Sequence, residues 1–145
     1  MAFILLIHLN ADASGLTTAF SEVTLENLEI GKSYSTKEVA NLALEVVNTG
    51  KEEVDLKMEL LMPQEQELKQ GYEPIPSLSW IKLEKTEFTK IMPNHTAVTD
   101  VLISIPDQKE YKGKKYQAYI WSHTVGETVG VGLKSRLLIV IRENK

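Results

Sequence analysis

The feature that most constrains this chain is strict alternation. Val54, Leu56, Met58 and Leu60 are apolar, while the intervening Asp55, Lys57 and Glu59 are charged. Successive side chains of a strand point to opposite faces, so this register gives one buried face and one wet face. On a helix the same pattern would scatter apolar groups around the whole circumference.

The rest of the chain repeats the theme. Val23 and Leu25, then Leu28 and Ile30, precede a turn at Gly31-Lys32-Ser33. Leu42, Leu44 and Val46 lead into Asn48-Thr49-Gly50-Lys51, where an Asn and a Gly offer the positive φ of a hairpin. Pro63 stops the next strand, and the polar stretch 64–79, with Gly71, Pro74 and Pro76, reads as a long connection with room for one helical turn at 65–70. Extended segments follow at 80–83, 87–91 and 97–105, with a turn at Pro93-Asn94-His95. Lys112-Gly113-Lys114 then leads into Tyr116, Ala118 and Ile120, with Gln117, Tyr119 and Trp121 on the opposite face. Leu137, Ile139 and Ile141 define a last strand over 133–141. Short strands at this spacing predict an all-β, immunoglobulin-like antiparallel β-sandwich of about seven to eight strands.

Composition fits one soluble domain: 145 residues, 43% hydrophobic and 25% charged. There is no cysteine, which excludes disulfides and thiolate metal sites. The net charge of −4 argues against nucleic acid as a partner, because phosphate binding draws on a basic excess. Trp80 and Trp121 are expected as core pieces; exposed side by side they would form a sugar-stacking platform instead.

Residues 2–9 form a short apolar run, followed by Ala11-Asp12-Ala13 and Ser14-Gly15. Small residues flanking the acid fit an export-peptidase site, although no Lys or Arg precedes the run. The run is too short to cross a bilayer as a helix. Residues 1–13 therefore read as a truncated signal peptide or as an extra N-terminal strand over 3–9, ahead of a single domain over 20–145.

Reaction chemistry is not signalled. His8, His95 and His123 fall in separate elements without zinc spacing, and no calcium loop or nucleophile elbow occurs. Glu52, Glu53, Asp55, Glu65 and Glu67 read as solvated carboxylates rather than a glycosidase pair. The glycine-rich segment 126–135 looks superficially like a phosphate loop, but Leu133 separates Gly132 from Lys134-Ser135 and a strand follows. No enzyme, metal or cofactor is expected. Asn94-His95-Thr96 is a formal glycosylation sequon. One basic and aromatic cluster remains as a candidate binding site: Lys109, Tyr111, Lys112, Lys114, Lys115 and Tyr116. It could dock an anionic glycan or wall polymer by charge and ring stacking, or be a lysine-rich turn that keeps an edge soluble.

Several of these marks together resemble a known group. They are Asn48-Thr49-Gly50, Trp80-Ile81-Lys82-Leu83, Glu87-Phe88, Pro93-Asn94, Ile105-Pro106 and Lys112-Gly113-Lys114-Lys115-Tyr116. Their order resembles prokaryotic surface immunoglobulin-like domains, among them the peptidoglycan-binding domain of WxL-type proteins and the N-terminal domain of pilus chaperones. The resemblance covers residues 23–141. It implies the sandwich and an extracellular setting, and it transfers no binding site. A pilus chaperone would also need a second domain. The expectation is a non-catalytic secreted or cell-surface structural or adhesion module. It would contact a protein or cell-envelope partner through loops or a sheet edge, with 97–105 and 133–141 as candidate edges. A carbohydrate-binding accessory domain is the alternative, with an enzyme of unrecognised type third.

Overall fold

The computed structural model describes residues 3–5, 11–13, 15–126 and 130–144. In chain order its first elements are β1 (Phe3–Leu5), β2 (Ala11–Ala13), β3 (Leu16–Thr18), β4 (Glu22–Leu28), β5 (Ser33–Ser35), α1 (Thr36–Ala40), β6 (Leu44–Asn48) and β7 (Val54–Leu61). There follow β8 (Glu73–Pro74), β9 (Ile81–Leu83), β10 (Glu87–Ile91), β11 (Thr96–Thr99), β12 (Val101–Ser104), β13 (Lys115–Val125) and β14 (Gly132–Ile141).

A seven-stranded sheet runs β1-β4-β14-β13-β7-β10, with β8 attached to β13. Facing it are a four-stranded sheet, β11-β6-β3-β2, and a three-stranded sheet, β5-β12-β9. Three strand paths change sheet on the way: β5 to β6 through α1, β9 to β10, and β11 to β12 across Asp100. The labels therefore divide fewer, longer strands, in keeping with the sandwich expected from the alternation. The register β14–β4 is parallel, Leu137 opposite Val23 and Ile139 opposite Leu25, and every other long pairing is antiparallel.

The inner faces share one core: Leu25 of β4, Leu44 and Val46 of β6, Leu56 and Met58 of β7, Val101 and Ile103 of β12, Ile120 of β13 and Leu137 of β14. Each such side chain, removed from water, contributes about 2 kcal/mol before entropy is subtracted. Leu56 and Met58 are the pair that the alternation of β7 marks as buried.

Four local expectations change. The segment 48–51 is no hairpin, since β6 and β7 lie in different sheets and neither Asn48 nor Gly50 has positive φ. Buried Asn48 instead ties two loops: its amide donates to the carbonyls of Glu52 and Ile91, and its side-chain oxygen accepts from the Gly50 N–H. α1 was not expected, although Ser35 and Glu38 carry the spacing of a capping box. Ser35 Oγ accepts from the Glu38 N–H, and Asn41, at φ 52°, ends the helix.

The third change concerns the long connection, which is a strap rather than a free loop. The helical turn expected at 65–70 is Glu65–Glu67, of 3-10 type, and a second 3-10 turn, Leu78–Trp80, ends the connection. The strap crosses the outer face of the seven-stranded sheet and leaves Leu138 and Tyr119 of that face buried, outside the main core. Gln117 pins it, accepting from the Lys69 N–H and donating to the Glu67 carbonyl, while the Ile75 N–H bonds the Gln117 carbonyl. Finally, β14 is not an edge: β13 and β4 flank it on both sides, because the first long strand of the domain returns to lie against the last.

Candidate functional site

The lysine-rich cluster divides into an outside and an inside. Lys109, Lys112, Lys114 and Lys115 are exposed around the turn where Gly113 takes φ 75°. Lys114 pairs with Glu73 at 3.6 Å, and the Lys115 ammonium lies 5.8 Å from the Tyr72 ring. The two tyrosines turn inward. Tyr111, Tyr116 and Trp80 meet edge to face, with ring centroids 4.8, 5.5 and 6.2 Å apart. Burial, aided by the Glu73 charge, pushes the Tyr116 phenol above its usual value. The cluster thus presents ammonium groups while the Tyr116 ring packs in the core beside Trp80.

Trp121 lies elsewhere. It is half-buried on the outer face of β13, stacked on His123 at 3.7 Å, and His123 Nε2 is 2.6 Å from the Glu59 carboxylate. Gly132 makes the room: a Cβ there would sit 2.7 Å from the indole nitrogen. Next along the face, the Arg136 guanidinium donates to Glu22, the Tyr119 hydroxyl and the Glu67 carbonyl. Desolvation opposes its charge, yet the bonds to Tyr119 and Glu22 outweigh this and raise its pKa. Lys134 pairs with Glu67 at 2.7 Å above the Tyr119 ring. Sequence reasoning missed this ladder because its members come from five separate segments. The alternation of Tyr119, Trp121 and His123 on one face was the signal available. His95 is exposed in the turn after Asn94, and His8 lies outside the described residues, as do Glu127, Thr128 and Val129 of the glycine-rich segment.

The remaining candidate is an edge. The chain runs beside β12 as β9, where Ile81 faces Ile103 and Leu83 faces Val101. It then bonds Asp100 and Thr99 through the Glu84 and Lys85 N–H groups, and leaves. By Thr86 it has joined β7 in the other sheet, since the Met58 N–H donates to the Thr86 carbonyl. β11 is therefore paired only by β6, with Thr96 opposite Val47 and Thr99 opposite Leu44 in unbroken register. The Asn48 N–H donates to the His95 carbonyl, which sets the phase. The His95 carbonyl and the main-chain groups of Ala97 and Thr99 point to β6, the His95 N–H donates to the Met92 carbonyl, and Thr96 and Val98 direct their main-chain groups to the open side.

Edges of sheets are normally blunted by charge, proline, bulges or brevity. β10 has a register shift between Phe88 and Ile91, with Lys90 at φ 54°. β9 places exposed Lys82 at its centre, and β1, β2 and β5 are each three residues long. β11, four residues long, carries no charge, proline or register shift. Its residues Thr96, Ala97, Val98 and Thr99 are uncharged, and Val98 on it and Met92 in the preceding turn are each 47% exposed.

Among the described residues no group of three His, Asp or Glu side chains could hold a metal ion, and no helix is long and apolar enough to cross a membrane. No family model matches the chain, and no curated protein sequence matches it. Its fold is similar to the ASH / PapD-like domain of human CEP192 (PapD-like domain 7), with a TM-score of 0.63 at 10% identity over 91% of this chain and 88% of that one. It is also similar, with a TM-score of 0.51 and 12% identity over 82% of this chain, to part of a family 123 glycoside hydrolase from Clostridium perfringens, whose structural analysis concerned glycolipid glycan hydrolysis. This chain accounts for 22% of that enzyme. Together with the strand order, these likenesses show an all-β, immunoglobulin-like fold.

Proposed function

We propose that the domain is a non-catalytic binding module that recruits a protein by adding the partner's strand to β11. The unblunted edge carries this reading: four uncharged residues, paired on one side only, with Val98 turned to solvent. Strand addition draws affinity from main-chain hydrogen bonds, and alternate side chains supply selectivity. The PapD-like neighbour supports a module without its own chemistry. A photo-reactive side chain placed at Val98 should capture a partner that the same group at Lys90 does not, and Val98→Lys should release it. Equal capture from both positions, or none, would defeat the reading.

The same proposal sets the domain in a secreted or cell-surface location, on the strength of the apolar run at 2–9 and Ala11-Asp12-Ala13. The pairing of β1 with β4 and of β2 with β3 supports the other reading, in which these residues stay as strands. N-terminal sequencing of the protein from its host decides: a mature chain starting at Ser14 supports export with cleavage, and an intact one supports the strands.

A second reading is a carbohydrate-binding accessory domain. Half-exposed Trp121 beside Tyr119 on the outer face favours it, as does the glycoside hydrolase that contains a similar fold. Titration with cell-wall or glycolipid oligosaccharides should then quench tryptophan emission, and Trp121→Ala should abolish the response.

A further inference from the structure

We propose that β1 is a removable cap, and that its departure opens the edge of β4 to an apolar strand of another protein. This rests on the export reading of residues 1–13 and concerns a different edge from β11. Cleavage after Ala13 takes away Phe3–Leu5, the strand that flanks β4 on the side away from β14. What remains keeps Val23, Leu25 and Leu28 of β4 in the core, so the edge stays part of the folded domain.

The phase of β4 shows what the cap covers. β4 and β14 run parallel, and the Arg136 N–H donates to the Ser21 carbonyl at 2.7 Å. In such a pair alternate residues bond the same neighbour, so Ser21, Val23 and Leu25 direct their main-chain groups to β14. Glu22, Thr24 and Glu26 direct theirs the other way. β1 meets them in that phase, with Leu5 opposite Thr24, Ile4 opposite Leu25 and Phe3 opposite Glu26. When β1 leaves, the N–H and C=O groups of Thr24 and Glu26 lose their partners. Asn27, at φ 60°, comes next, and the register on β14 shifts there, which confines an incoming strand to residues 22–26.

The cap itself indicates the occupant. Phe3, Ile4 and Leu5 are uncharged and apolar, and Ile4 holds the register position opposite Leu25, a core residue. A replacement strand must therefore run antiparallel to β4 and place an apolar residue opposite Leu25, where it keeps water from the flank of the core. Its two neighbouring residues supply main-chain bonds to Thr24 and Glu26, the usual basis of strand addition. Held in the uncut chain, β1 occupies this edge until export is complete, which protects it from premature pairing.

Amide hydrogen exchange on the whole chain tests this directly. A protease site introduced between β1 and β2 allows the folded chain to be cut in place and the released segment dialysed away. Exchange at Thr24 and Glu26 should then accelerate at least tenfold, while Val23 and Leu25, bonded to β14, stay protected. A synthetic peptide of residues 2–7, carrying terminal lysines for solubility, should restore protection at Thr24 and Glu26. The same peptide with Ile4→Asp should not. Unchanged exchange after the cut, failure of the first peptide, or equal restoration by both overturns the proposal. N-terminal sequencing separates it from the export reading. An intact chain in the host overturns both, since the cap then stays in place. A chain starting at Ser14 whose edge ignores the peptide leaves export standing and removes β4 as an acceptor.

Discussion

Asp100 shows how one side chain can hold a sheet crossing. It sits between β11 and β12 and accepts from Ser35 Oγ at 2.5 Å, from the Lys37 N–H at 3.1 Å and from the Val101 N–H at 2.8 Å. Burial works against its charge, but these three bonds and the Lys37 charge outweigh it and hold its pKa below the usual 3.8. Asp100→Ala should therefore cost about 2 kcal/mol in urea denaturation at neutral pH, as expected for bonds to a charged group. A depressed folded pKa means that ionised Asp100 contributes fully above 3.8 and less as pH falls through the lower folded value. The gap between mutant and parent should shrink in that acid range, and a constant gap would refute the assignment. Ser122 and Ser135 pose the opposite case. Both are fully buried on neighbouring strands, and neither hydroxyl has a partner among the described residues. Burying a hydroxyl unpaired costs about 1–3 kcal/mol, so Ser122→Ala and Ser135→Ala should raise the melting temperature. A fall would mean that ordered water satisfies them.

At the scale of elements, legibility followed periodicity. β7 was readable because one face meets the core and the other is largely polar, and β14 because Leu137, Ile139 and Ile141 line its inner face, although Leu138 on its outer face is buried too. β13 was readable only in part. Its inward residues Tyr116, Ala118 and Ile120 behave as the alternation implies, but Gln117 and Tyr119 on the opposite face are buried as well. The reason is the strap, which covers them from outside and whose own sequence is polar. A polar segment that buries others through hydrogen bonds leaves no apolar pattern to read. The edges were equally hidden, since pairing partners distant in sequence decide them: β14 is flanked by β4, whereas β11 loses its neighbour when β10 departs for the other sheet. Among the candidate binding residues, the four lysines were legible as surface groups, while the inward turn of Tyr111 depended on Trp80, far away in sequence. The strap makes its own prediction. Gln117→Ala removes both side-chain bonds to residues 67–69 and should destabilise by about 2 kcal/mol. Hydrogen exchange should accelerate at Lys69 and its neighbours well before it does in β7 or β14. Uniform acceleration across the domain would show that the strap is not a separable unit.

For the molecule as a whole, the parallel contact between β4 and β14 governs cooperativity. Residues 22–28 pair with 136–141, so the central sheet closes only when the two ends of the domain meet. Val23, Leu25, Leu137 and Ile139 from these strands all belong to the core. Loop closure over that separation must be met before the contacts return any free energy, which makes partial structures poor in stability. A chain ending at residue 131 would lose β14 and leave both β4 and β13 with an open edge and an uncovered apolar face. It should be unfolded or aggregated, with no dispersed amide spectrum and no cooperative melt. Loss of β11, which lies at an edge, should be milder: replacing Thr96–Thr99 with a glycine-rich linker should lower stability while the melt stays cooperative. If the chain truncated at 131 retained a cooperative transition, the seven-stranded sheet could not be the unit that folds, and the sandwich would have to be assembled from its smaller sheets.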